Sequence, residues 1–227
     1  MRRTPGVAFV GLLGLVAWVV VALSVWLALR PDAIGPAAAT NADVLLLVAG
    51  AGSAITAGLF SAATPLERPF GLLLVTAAIA WLVAGWADPA SGSAVMFTLG
   101  LVGRAVDGPL VAHATITGMT PSRTVPERVV LGFGYAVSLI GLGLVPATLF
   151  VPAQQGCLGC PDNLVAVASA PEVARGVVTV AAFAMAAWAV ATIVLLLGLG
   201  FAFEQATKAR RRPVTTPLLP GESITIK

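Results

Sequence analysis

Six long runs of apolar residues alternate with short polar breaks along this chain. The runs cover residues 7–29, 44–63, 70–87, 94–117, 129–151 and 173–203. A helix needs about 20 mostly apolar residues to cross about 30 Å of hydrocarbon, and each run comes close to that length or exceeds it. Proline, glycine and aspartate interrupt the runs and mark turns at the membrane surface. The pattern predicts an all-α, polytopic membrane helix bundle with about six transmembrane helices.

Composition supports a membrane protein and leaves little sequence for a soluble domain. Hydrophobic residues make up 58% of the chain and charged residues only 10%, whereas soluble domains carry roughly 25% charged residues. The first run follows Arg2 and Arg3 and is too long for the apolar region of a signal peptide, so we expect an uncleaved anchor. We predict a transmembrane domain over residues 1–205 and a basic, disordered tail over residues 206–227.

The distribution of lysine and arginine predicts the orientation. If the N-terminus is inside, ten of the 13 basic residues fall on cytoplasmic segments, only Arg30 and Arg175 fall outside, and Arg104 falls within the fourth run. Cytoplasmic loops are enriched in Lys and Arg, so both termini are predicted to be cytoplasmic, in the plasma membrane. The ten are Arg2, Arg3, Arg68, Arg123, Arg128, Lys208, Arg210, Arg211, Arg212 and Lys227. Because these charges are dispersed, the expected partner is the lipid bilayer and not nucleic acid.

Cys157 and Cys160 are the only cysteines and fall on the outer side of the predicted topology. An oxidising exterior favours a structural disulfide between them. A c-type haem would need histidine after the second cysteine, where Pro161 stands. Zinc would need about four ligands, which the sequence does not supply nearby. A redox-active disulfide stays open, although no second cysteine pair is present to pass electrons onward, and capture of a metal between two chains is the remaining alternative. No cofactor or metal is predicted.

The fourth apolar run contains the other unusual residues, Arg104, Asp107 and His113. Charged groups within a span cost roughly 2.5–3.5 kcal/mol each on insertion scales, so they should be paired or hydrated. The i,i+3 spacing allows an ion pair between Arg104 and Asp107 on one helical face, and Pro109 predicts a bend. Two readings stay open for these candidates: a ligand, proton or ion site inside the bundle, and an interhelical polar clamp.

Several sequence blocks together resemble the N-terminal membrane region of actinobacterial two-component sensor histidine kinases, best between residues 81 and 164. The blocks are Gly92-Ser93-Ala94 with Phe97-Thr98-Leu99-Gly100-Leu101, then Pro109-Leu110-Val111-Ala112-His113-Ala114, then Glu127-Arg128-Val129-Val130-Leu131 with Tyr135-Ala136, and Gln155-Gly156-Cys157 to Asn163-Leu164. The chain departs from the family at Arg104 and Asp107, where uncharged residues are expected, and in lacking a glycine between Met119 and Arg123.

The resemblance implies an input module without the family's dimerisation helix and ATPase domain, and thus no enzyme and no catalytic residue on this chain. We therefore expect a membrane sensor that acts on a cytoplasmic signalling partner or as a homo-oligomer. The first alternative is a small transporter or channel that uses Arg104 and Asp107. The second is a membrane thiol-disulfide protein that uses Cys157 and Cys160.

Overall fold

The apolar runs form helices, because a backbone in an apolar medium must satisfy its own hydrogen bonds. A computed structural model describes residues 5–30, 41–119, 124–157 and 159–211, and none of these lies in a β-strand. The α-helices are α1 (Pro5–Ala28), α2 (Asn41–Ala63), α3 (Arg68–Ala84), α4 (Ala94–Gly103), α5 (Asp107–Met119), α6 (Val125–Ala136), α7 (Val145–Thr148) and α8 (Pro171–Arg211). A π-helical segment, Val137–Leu144, joins α6 to α7. The predicted all-α class is confirmed for this part of the chain.

Four helical stretches are long and apolar enough to cross a membrane. They are Ala8–Ala28, Asp43–Ala63, Val125–Thr148 and Pro171–Ala202, and the bent pair α4 and α5 makes a fifth if it forms one span. Helix α3 is apolar but has only 17 residues, about 25 Å of helix against about 30 Å of hydrocarbon. These lengths are those of a membrane protein with four or five spanning helices, and a sixth span would require α3.

Several connections meet at one end of the bundle. Arg30, after α1, donates from Nη1 to the carbonyl oxygen of Ala90 in the α3–α4 connection at 2.8 Å. In the α7–α8 connection, the backbone N–H of Leu164 donates to Oγ1 of Thr98 in α4 at 2.9 Å. The Cys157–Cys160 disulfide belongs to the same connection. We call this end of the bundle, formed by residues 85–93 and 149–170 with Arg30, the disulfide end.

Helices α1, α2 and α3 share one apolar core. Its buried side chains include Leu27 from α1, Ile55 from α2 and Val75 from α3. Helices α2 and α3 approach closely because Gly58 of α2 faces Gly71 of α3. A Cβ added at Gly71 would overlap the carbonyl oxygen of Gly58. Close approach through small residues is the usual way in which helices pack in lipid.

Helices α5, α6 and α8 meet around Trp188 of α8. Its ring packs directly on Gly134 of α6, leaving no room for a Cβ, and its Nε1 donates to the carbonyl oxygen of Val130 at 2.8 Å. Ile116 of α5 and Leu131 of α6 are buried in the same cluster. The indole N–H of Trp188 thus has a hydrogen-bond acceptor inside the bundle, as a buried tryptophan requires.

The predicted fifth span, 129–151, is an α-helix only at its two ends. The π-helical segment of eight residues occupies its middle, and α7 ends at Thr148. Pro146 has no N–H to donate to the carbonyl of Leu142, which removes one α-helical bond where the wider turns end. Gly143 of the π segment packs against the carbonyl oxygen of Val102 in α4, where a Cβ would overlap it.

Helix α8 has 41 residues and is longer than the predicted sixth span. Residues 206–211, predicted as disordered tail, continue the helix. Good helix formers extend it, and Lys208 pairs with Glu204 one turn earlier at 2.6 Å. Residues 212–227 of the predicted tail lie outside the described residues, as do Arg2, Arg3 and Arg123 of the charge count.

Candidate functional site

The predicted fourth span is two helices that meet at an angle of 56°. Helix α4 ends at Gly103, and Arg104 is extended, with φ −61° and ψ 101°. Ala105 has φ 95°, a left-handed conformation that residues with a Cβ seldom adopt. The N–H of Val106 donates to the carbonyl oxygen of Gly103 at 3.3 Å and closes the turn. The predicted fourth span, 94–117, is therefore interrupted at residues 104–106, before the bend that was expected at Pro109.

Pro109 explains the position of the break. A proline ring clashes with the carbonyl of the residue four positions earlier in a helix and donates no hydrogen bond to it. That residue is Ala105, the one with positive φ. Pro109 itself lies buried in the first turn of α5, where a missing N–H costs nothing. The proline thus starts a new helix, and the bend lies before it.

Arg104 and Asp107 do not form the predicted ion pair. The i,i+3 geometry of a helix is absent, because the chain between them is not helical. Within the described part of the chain, the Arg104 guanidinium has neither a hydrogen bond nor an ion pair. Asp107 is partly buried in the first turn of α5, where the helix dipole favours a carboxylate.

His113 belongs to a separate contact. Its Nδ1 lies 2.9 Å from the hydroxyl of Tyr135, with the two rings edge to face at 5.8 Å between centroids. The contact joins α5 to α6, so for His113 the geometry has the form of an interhelical clamp. His113 does not line the cavity that contains Arg104. The structure therefore divides the three polar candidates of the fourth span between two places.

Arg104 lines a cavity of about 530 Å³ between α4, the π segment and α8. The cavity extends from the disulfide end, where Pro89 and Cys160 contribute to it, to Arg104 and Ala105. Its other walls come from Ala84, Gly85, Ala87, Phe97, Leu101, Leu142, Pro146, Ala147, Phe150, Ala174 and Val178. Arg104 is the one charged side chain among these lining residues. The arrangement is an apolar cavity with a single cation, of a size that suits a small molecule.

The α7–α8 connection folds back on the end of α7 beside the cavity, and we call its described residues, 149–157 and 159–170, the cap. Buried Asn163 donates from Nδ2 to the carbonyl oxygens of Ala147 and Phe150, at 2.7 and 2.8 Å. The N–H of Val167 donates to the carbonyl oxygen of Thr148 at 2.8 Å. These bonds supply donors to the carbonyls of Phe150 and Thr148 at the end of α7, and a second donor to the carbonyl of Ala147, which also accepts from the N–H of Phe150. Asn163 was not among the predicted site residues, and the only signal for it in the sequence is its place in the block from Gln155 to Leu164 that resembles the kinase family.

Cys157 and Cys160 form a disulfide within this cap. A 3₁₀ turn, Pro152–Gln155, precedes the pair. Gly156, which joins this turn to Cys157, has φ 83°. Cys160 lines the cavity, so the disulfide braces one part of its rim. Among the described residues there is no group of three or more His, Cys, Asp or Glu side chains that could hold a metal ion.

Comparison of the chain with known protein families, with curated proteins and with solved structures finds no match.

Proposed function

We propose that the chain is a multi-pass plasma-membrane input module that senses at the disulfide end, outside the cell, and signals through α8 to a cytoplasmic partner. In this proposal the chain has six spans, both termini are cytoplasmic, and the chain itself carries no catalytic group. The partner is a cytoplasmic signalling protein of the kind that follows such membrane regions in sensor histidine kinases.

A single continuous helix carries this proposal, because α8 forms a wall of the cavity and also extends far beyond it. Ala174 and Val178 of α8 line the cavity, and the helix is unbroken to Arg211. From Ala174 to Arg211 the rise is about 55 Å, which exceeds the hydrocarbon thickness of about 30 Å by several turns. A shift of α8 at the cavity therefore moves residues beyond the opposite membrane surface, as rigid helix shifts do in other switches.

Six spans and cytoplasmic termini are supported by the charge distribution, with ten basic residues assigned to one side and two to the other. The count requires α3 to cross, and a short helix can do so where the bilayer thins locally. A C-terminal fluorescent reporter and a membrane-impermeant maleimide test the orientation in cells. Cys157 and Cys160 should react from outside after reduction, and labelling only after lysis would contradict the orientation.

The signalling role can be tested by joining the chain after Lys227 to the cytoplasmic core of a histidine kinase and measuring autophosphorylation in proteoliposomes. Val178→Trp adds a large side chain to the cavity wall. Val180→Trp is a matched control, because Val180 is on the same helix, does not line the cavity and is 70% exposed, against 38% for Val178. A bias of about 1 kcal/mol between two states changes their ratio about fivefold, so V178W should change the rate several-fold and V180W should not. Equal rates for both variants and the wild type would contradict the proposal.

A transporter is the second candidate, favoured by the break at residues 104–106. Discontinuous helices whose ends surround a substrate are a feature of many transporters. This candidate predicts solute or proton flux in liposomes that is lost in both Arg104→Gln and Asp107→Asn. Flux that persists in both variants would exclude a role for this pair in transport.

A further inference from the structure

We propose that the cavity is a binding site for an apolar organic monocarboxylate, whose carboxylate pairs with Arg104 and whose apolar body lies between α4, the π segment and α8. The inference deepens the proposed function, on which it rests for its meaning, because it names the chemical class of the stimulus. The binding itself can be measured independently of any signal.

The charge requirement follows from the isolation of Arg104. Arg104 is exposed at the cavity, and within the described residues none of the five N–H donors of its guanidinium is used. The residue follows α4, whose ten residues place it about 15 Å from the disulfide end. A cation at that depth is costly unless it is hydrated or paired. A carboxylate matches the planar guanidinium with two parallel hydrogen bonds, the strongest pairing available to it.

The cavity favours a monoanion. Asp107, the nearest acidic residue along the chain, is not among the lining residues, so no carboxylate opposes Arg104 at the cavity surface. No second basic side chain lines the cavity either, and a phosphate dianion would keep one charge unpaired in an apolar site, which is unfavourable. One cation and no other charge thus select a ligand with one negative charge.

The apolar requirement follows from the walls. Phe97 and Phe150 contact each other with ring centroids 6.2 Å apart and line the cavity together. Leu101, Leu142 and Val178 complete the apolar surface beside Arg104. Each methylene group moved from water into such a site contributes about 0.8 kcal/mol, so affinity should increase with chain length until the cavity of about 530 Å³ is filled.

Octanoate and octanamide provide a direct test, since they have the same apolar chain and differ in charge. The full chain is placed in nanodiscs of zwitterionic phosphatidylcholine, and binding is measured by isothermal titration calorimetry against empty nanodiscs. The wild type should bind octanoate at least about tenfold more tightly than octanamide, as expected for a charge-assisted pair. Arg104→Gln should remove this difference, and Arg104→Lys should retain part of it. Arg175→Gln, at an exposed ion pair, is the matched control and should bind octanoate like the wild type.

Two results would overturn the inference: equal affinity of the wild type for octanoate and octanamide, or unchanged octanoate binding by R104Q. If R104Q does not fold, V178W replaces it as the test. By occupying the cavity it should weaken octanoate binding at least about tenfold, while V180W should not. Octanoate binding by V178W at wild-type strength would equally overturn the inference.

A further comparison separates the two sources of such an anion. Octanoate added from water and oleate incorporated in the bilayer carry the same carboxylate. Displacement of octanoate by bilayer oleate supports a site that a membrane fatty acid occupies, and its failure supports an acid taken from outside.

Octanoate binding without any change in the fused kinase would refute the proposed signalling function and leave the binding site intact. If the wild-type chain does not bind octanoate but the fused kinase still responds to V178W, the binding site is refuted and the proposed signalling function is not.

Discussion

Asn163→Asp tests whether the cap of the cavity is held by the hydrogen bonds seen in the structure. The side-chain amide of Asn163 donates to two carbonyl oxygens, those of Ala147 and Phe150, and its Oδ1 accepts from the N–H of Val165 at 3.2 Å. Aspartate has nearly the same shape but no donor when ionised. The variant would keep the bond to Val165 and place a carboxylate oxygen against two carbonyls.

The expected loss is about 1–3 kcal/mol in the free energy of unfolding, the cost of one buried group left without a partner, because the Phe150 carbonyl loses the Asn163 donor whereas the Ala147 carbonyl keeps the N–H of Phe150. Titration with SDS in mixed micelles, followed by circular dichroism, measures this loss. Acidification should reduce it, because the protonated carboxyl group regains one donor. The neighbouring Asp162→Asn is the control: Asp162 is exposed, and such changes usually stay within about 0.5 kcal/mol. Wild-type stability of N163D at neutral pH would refute the assignment of these bonds.

Two further predictions concern backbone positions around the cavity, both measured in the same unfolding assay. Ala105→Gly should be neutral or stabilising by up to about 1 kcal/mol, because glycine adopts the positive φ of 95° without strain, and Ala105→Val should destabilise. The opposite order would contradict the left-handed turn. Gly143→Ala should cost about 1–3 kcal/mol through overlap with the Val102 carbonyl oxygen. Gly132→Ala, where a Cβ meets nothing within 4 Å, is its control and should not destabilise; equal losses would contradict the close packing.

The sequence was sufficient to predict the helices, because each depends on a run of apolar residues that is visible locally. The starts of α2 and α3 lie within three residues of the predicted starts at 44 and 70. The place of the break in the fourth span was also accessible. Pro109 has no N–H to donate to the carbonyl of Ala105, four residues earlier. The helix is broken at the residue that carries this carbonyl and not at the proline itself.

Other features depend on tertiary contacts that a single sequence does not reveal. The cavity needs walls from four separate stretches of chain, and Asn163 gains its role only because the cap folds back on the end of α7. The Arg104–Asp107 spacing was misleading for a related reason. An i,i+3 spacing brings two side chains together only if the residues between them are helical. Residues 104–106, which precede Pro109, are not helical.

The structure bears on the choice between a polar clamp and a ligand site at Arg104. A clamp gains its stability from pairing, and the His113–Tyr135 contact has that form. Arg104 has no such partner among the described residues and follows a broken helix beside a strained Ala105. Departures of this kind cost free energy, and they tend to persist where function requires them. The cation, the strained residue and the π segment all adjoin one cavity, and of the two readings only a ligand site would give the Arg104 guanidinium a partner there.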